Sequence, residues 1–265
     1  MFELKNVSGG YGRKIVVSDV SAVFPKGNIT SIIGANGCGK STLLLMCAGL
    51  IPCASGEIYA DGEDISKMSR NAVARRISYL EQMKSIGSIS VRSLVSHGRF
   101  PYLGYPRRYT PDDMKIVDKA LEMAGAMDVA DCMMNELSGG QQQKARIAMT
   151  LAQNTDIILL DEPMTYLDFR HKLEISDLIV SLRDSGRTVI TVMHDPELAF
   201  KFSDRIAVMK EGHIIALDTP ESIANSSVLG DALGIKATYS AEAGRYFFDR
   251  EANFVKKWKN TILNK

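Results

Sequence analysis

The chain has 265 residues, 45% of them hydrophobic and 24% charged, with a formal net charge of +1. That balance excludes a strongly basic nucleic-acid binder and a disordered chain, and gives enough apolar mass for one large domain with a full core. No stretch nears the ~18 continuous apolar residues of a membrane span, and the N-terminal MFELKNVSGGYG lacks the apolar core of a signal peptide. Cys38, Cys47, Cys53 and Cys132 form no C-x-x-C pair and have no histidine at zinc-ligand spacing, so a reducing, cytoplasmic setting is expected.

The first sixty-odd residues read as β structure. Tyr11 lies in the glycine turn SGGYG, where it could pack or stack on an adenine face. VSDVSAVF puts Val20, Ala22 and Phe24 on one face, and Asp61-Gly62 predicts a hairpin. Between them, ITSIIG runs into GANGCGKS, Gly34 to Ser41, which fits the P-loop pattern G-x-x-x-x-G-K-[ST]. The glycines let backbone N–H groups curl around phosphate oxygens, Lys40 adds a point charge, and the Ser41 hydroxyl can ligate Mg²⁺. Cys38, inside this loop, is expected to be a reactive thiolate near a helix N-terminus, shielded by MgATP.

ISYL, IILL and VITVM are short apolar runs between helical stretches, the pattern of parallel strands covered on both faces. In such sheets ligands bind beyond the carboxyl ends of the strands. Those ends carry Gln82, able to touch Mg²⁺ or an attacking water; Asp161, placed to hold Mg²⁺; Glu162, the candidate to polarise a water; and His194, a γ-phosphate contact. Residues 86–154 read as a helical insertion. One helix starts at Thr110 as N-cap with Pro111 next, and carries a stripe of Met114, Val117, Leu121 and Ala124. Within the insertion, LSGGQ gives Ser138 and Gln141 capping-box spacing. Two adjacent glycines weaken that first turn unless something approaches the backbone closely. After Leu217 the pattern weakens, and the basic tail VKKWKNTILNK is expected as a solvated terminal helix rather than a lipid contact.

The order P-loop, Gln82, LSGGQ, IILLDE, TYLD and VMHD resembles the ATP-binding subunit of an ABC transporter, from about Phe2 to Asp218. The resemblance implies an α/β fold: a P-loop NTPase (RecA-like) core with an N-terminal antiparallel β subdomain and an inserted helical subdomain. It makes 1–265 a single ABC ATPase domain with a C-terminal extension at 236–265. Tyr11 matches the adenine-stacking aromatic, and Gly34 to Thr42, with Asn36, Gly37, Cys38 and Gly39 between, the phosphate loop. Lys40, Gln82, Glu162 and His194 take catalytic roles; Ser41, Gln82 and Asp161 hold Mg²⁺. Ser138, Gly139, Gly140 and Gln141 match the signature that closes over ATP held by the opposite subunit, and Asp168 the D-loop aspartate. A partner that supplies the lysine explains why this second phosphate-seeking helix start has none.

LVSHGRFPY, Leu94 to Tyr102, and EPMTYLD resemble the ATPases that energise import of iron-siderophore, haem and cobalamin complexes, with ferric siderophore the leading assignment. Such a subunit lies on the cytoplasmic face of the membrane, paired with a second copy beneath integral-membrane permease subunits. An extracytoplasmic substrate-binding protein delivers the chelate. Ala35, Glu81, Gln142, Lys144 and Met164 depart from the usual residues at their positions without removing a phosphate or metal ligand. A GTPase or small-molecule kinase shares the P-loop but needs no LSGGQ, and soluble ABC ATPases usually carry two cassettes or a long coiled-coil insertion.

Overall fold

The computed structural model describes residues 1–82, 87–165 and 167–251. Strands β1 (Phe2–Tyr11), β2 (Lys14–Phe24) and β3 (Ile29–Gly34) precede helix α1 (Lys40–Cys47). Then come β4 (Ser55–Ala60), β5 (Glu63–Asp64), α2 (Arg70–Ala74) and β6 (Ile77–Leu80). The helical stretch holds α3 (Val91–Ser96), α4 (Pro111–Met123) and α5 (Gly139–Ala152); its expected start at residue 86 lies outside the described residues. The chain returns to β7 (Ile157–Asp161), α6 (Phe169–Asp184), β8 (Thr188–Val192), α7 (Pro196–Phe202), β9 (Arg205–Lys210) and β10 (His213–Asp218). It continues through α8 (Pro220–Ala224), α9 (Val228–Leu233), β11 (Ile235–Ser240) and β12 (Arg245–Arg250).

The central sheet has the order β10-β9-β3-β8-β7-β6, parallel except for β10. Because side chains alternate across a strand, each apolar run serves two cores. β3 sends Ile29 and Ile33 to one face and Ile32 to the other; β7 divides Ile158 and Leu160 from Ile157 and Leu159. The first core is closed by the helices, through residues such as Val95, Leu121, Ile147 and Ile179. The second is closed by Leu43, Leu44 and Met46 of α1 and by Phe2, Leu4, Val17 and Phe24 of the antiparallel sheet β2-β1-β4-β5. Val20, Ala22 and Phe24 face inward together, and Ala60 lies opposite Glu63 across the expected hairpin turn.

The helix expected at Thr110 forms with a full capping box. Thr110 Oγ1 accepts from the Asp113 N–H at 3.1 Å, and Asp113 Oδ2 accepts from the Thr110 N–H at 3.0 Å. Asp113 is also buried against Arg99, whose Nε donates to it at 2.9 Å. Beyond Leu217, where the sequence pattern fades, the chain is ordered into α8, α9 and the β11–β12 hairpin. Tyr246 and Phe248 of that hairpin meet Phe200 of α7 edge-on, with centroids 5.2 and 5.1 Å apart. Such pairs contribute beyond their buried area. The basic tail, 255–265, lies outside the described residues, as does Tyr166 of TYLD. No helix among the described residues is long and apolar enough to cross a membrane.

Candidate nucleotide site

Parallel register aligns the carboxyl ends of four strands. Leu80 pairs with Leu160, Asp161 with Val192, and Val192 with Ile32. The residues just beyond these ends therefore face one crevice: Gln82, Glu162, His194 and the loop after Gly34. Helices α2 to α8 each begin on a Ser, Thr or Asp side chain that accepts a hydrogen bond from the first turn. Helix α1 does not. Its N-cap is Gly39, at φ 107°, a conformation that disfavours any side chain and supplies no cap. The amide dipoles of that turn are left to an anion, as a phosphate loop requires.

Lys40 is buried, and its ammonium donates to Gly34 O at 2.8 Å and Ala35 O at 3.0 Å. The cation is thereby held inside the loop that would wrap a phosphate. Cys38 corrects one expectation. It is buried in the second core, its sulfur 3.9 Å from Lys40 Nζ. The thiol points beneath the loop and fills space, so any contribution of Cys38 to phosphate comes from its backbone.

Two carboxylates stand at the end of β7, Asp161 as its last residue and Glu162 just beyond it, and they have different surroundings. Asp161 is buried; Ser41 Oγ donates to its Oδ1 at 3.0 Å and the Tyr79 hydroxyl to its Oδ2 at 3.2 Å. Burial lifts its carboxyl above the usual range, opposed by these two hydrogen bonds. Burial likewise pushes the Tyr79 phenol far up, aided by Asp161, so the phenol stays a donor. Glu162 takes a left-handed backbone, φ 53°, which is uncommon for a residue other than glycine and is kept where surroundings impose it. Its Oε2 accepts from Gln82 Nε2 at 3.0 Å and Thr165 Oγ1 at 3.1 Å, while Oε1 meets His194 Nε2. Gln82, Glu162 and His194 thus form one cluster, and Ser41 and Asp161 another.

Ser41 and Asp161 offer hard oxygen donors, and no group of three or more His, Cys, Asp or Glu gathers to hold a metal among the described residues. A sparse oxygen set suits Mg²⁺, which keeps most of its ligands as water and phosphate oxygens.

Ser138 starts α5 with the expected capping box. Its Oγ accepts from the Gln141 N–H at 3.4 Å, and its own N–H donates to Gln141 Oε1 at 3.0 Å. Asp168 caps α6, accepting from the His171 N–H at 2.9 Å. None of the hydrogen bonds of Ser138, Gln141 or Asp168 among the described residues reaches the P-loop. Tyr11 ends β1 with its ring about half exposed. Sequence reasoning missed Tyr79, Thr165 and Gln143, whose Nε2 donates to Pro163 O at 2.8 Å and so ties α5 to the segment after Glu162. Tyr79 had one available signal, a polar tip one residue before the carboxyl end of the short strand ISYL.

A buried lysine inside the glycine loop after β3, with carboxylates at the end of β7 one strand removed, defines a P-loop nucleotide hydrolase. The chain belongs to the ABC transporter family, whose sequence profile matches residues 17–165. It is 40% identical over 253 residues to the petrobactin import ATP-binding protein YclP of Bacillus subtilis, spanning 93% of this chain and 100% of that one. It is 39% identical over 229 residues to the ferric enterobactin transport ATP-binding protein FepC of Escherichia coli, spanning 86% and 84%. The dimeric cassette MJ0796 superposes with a TM-score of 0.74 at 30% identity, over 83% of this chain and 99% of that one. Its post-hydrolysis form bound to ADP and Pi gives 0.73.

Proposed function

We propose that this chain is the ATP-hydrolysing subunit of a ferric-siderophore importer. The observation that carries the substrate class is the full-length similarity to a petrobactin import subunit, 40% identity over 93% of the chain. ATP binds with its phosphates in the Gly34–Thr42 loop and its adenine against Tyr11. Ser41 and Asp161, with Gln82, would hold Mg²⁺, which would neutralise charge on the phosphates. Glu162 accepts a proton from the attacking water. His194, which meets Glu162 in this structure, contacts the γ-phosphate, and Lys40 neutralises the charge that builds as water bonds to the γ-phosphorus and ADP leaves.

In this reading two copies close face to face, so that Ser138, Gly139, Gly140, Gln141 and Asp168 of one complete the site of the other. Residues 86–154 act as a helical subdomain and 236–265 as a C-terminal extension. The pair rests on the cytoplasmic face of the membrane, held by permease subunits, with an extracytoplasmic binding protein delivering the chelate. The test is reconstitution of the chain with a permease and binding protein in vesicles. ATP-dependent accumulation of a ⁵⁵Fe-loaded catecholate or hydroxamate siderophore is expected. Uptake of haem or cobalamin in its place, or no ATP-dependent uptake, overturns the assignment.

A further inference from the structure

His171, in the first turn of α6, stands between two segments that the dimeric reading turns toward the partner's nucleotide. On one side is Asp168, whose Oδ1 accepts from the His171 N–H at 2.9 Å and lies 2.8 Å from Nδ1. A carboxylate there fixes the proton on Nδ1 and holds the ring in one orientation. On the other side is the start of α5. A methyl group added at Gly140 would meet His171 Cδ2 and Nε2 at 3.1 Å, whereas one at Gly139 would meet nothing within 4 Å. The two glycines of LSGGQ therefore have separate reasons. Gly139 leaves the outer surface of the turn open, and Gly140 admits the imidazole from within. One turn further along both helices, Lys144 Nζ reaches Glu174 Oε2 at 2.6 Å, so the α5–α6 contact continues past the ring.

We infer that His171 is a positioning residue that sets the spacing between Asp168 and the first turn of α5, so that both reach the partner's nucleotide together. The inference rests on the dimeric reading above. A flat ring suits this role, because it hydrogen-bonds on one edge while its far atoms lie against a backbone that lacks a Cβ. An asparagine at 171 could keep the donor to Asp168 but would leave the space beneath Gly140 unfilled.

The experiment uses the full chain carrying Glu162→Gln, to trap the ATP-bound dimer, with association followed by analytical ultracentrifugation in MgATP. His171→Asn and Gly140→Ala are each expected to raise the dimer dissociation constant about tenfold, and His171→Asn is expected to leave ATP affinity of the monomer within about twofold. The double variant is expected to be no weaker than the weaker single one, because both changes undo the same contact. Fold-changes that multiply to about a hundredfold, or a His171→Asn dimer as tight as the parent, overturn the inference. A parent that does not dimerise removes the dimeric reading itself. The contact is then judged by the His171 ring resonance, assigned among the four histidines by loss in His171→Asn. A resonance unmoved by Gly140→Ala refutes the contact, and a displaced one supports it.

Discussion

Gln82 Nε2 donates to Glu162 Oε2 at 3.0 Å, joining the residue beyond β6 to the residue beyond β7. With His194 on the other oxygen, the carboxylate is gripped from both sides by neighbouring strand ends. A general base needs this placement as much as it needs basicity.

Glu162→Gln keeps the shape of that cluster but removes the proton acceptor. Nucleotide binding should persist while steady-state hydrolysis falls ~10²–10⁴-fold, the usual scale for losing a general base. Near-normal turnover in a phosphate-release assay would remove Glu162 from the role.

Ser138→Arg places a long cation at the exposed start of α5, away from the chain's own phosphate loop. The isolated variant should bind ATP as the parent does and hydrolyse it poorly. Equilibrium binding with a fluorescent ATP analogue checks this, and lost binding would place LSGGQ in the site of its own chain.

The Arg99–Asp113 pair is buried on both sides. Asp113→Ala leaves the guanidinium without its partner and should cost about 3–5 kcal/mol of stability, read from denaturant unfolding. Burial raises the Asp113 carboxyl, but the hydrogen bonds from Thr110 and Arg99 outweigh it, so the carboxyl is held below its ordinary value. Its contribution is accordingly complete above about pH 4 and disappears as pH falls through the lowered folded value. Asp113→Asn should flatten that acid limb; an unchanged slope would show that other carboxylates set it.

Cys132 is exposed, Cys53 half-buried, and Cys38 and Cys47 buried. Burial raises the Cys47 thiol far above its ordinary value and also raises that of Cys53. A thiol reagent at neutral pH should therefore modify Cys132 first, at a rate MgATP does not change, with ATPase activity retained. Rapid labelling of Cys38 in intact-mass and peptide mapping, with inactivation, would restore the reactive-thiolate reading.

The chemistry was legible because its parts are contiguous runs: a strand, then the loop or carboxylate that follows it. Parallel register then needs no further information to bring Gln82, Glu162 and His194 together. What stayed hidden depends on partners distant in the chain. Tyr79 looks like an ordinary half-buried strand residue until β6 is laid beside β7. His171 looks like a polar helix residue until α6 is placed beside α5. The β11–β12 hairpin lacks a strong period of its own because its aromatics are specified by Phe200. The burial of Cys38 is not legible either, because a loop motif gives the position of a side chain but not its direction.

Alternation along β3, β7, β8 and β9 makes each strand a shared wall between the two cores. Removing a strand from either core strips the other of its lining, so neither can melt while its neighbour stays intact. The two cores, one under the helices and one under the antiparallel sheet, should therefore lose their structure together. A shift at the nucleotide crevice is then carried to both faces of the sheet as a displacement of packed layers, without local melting.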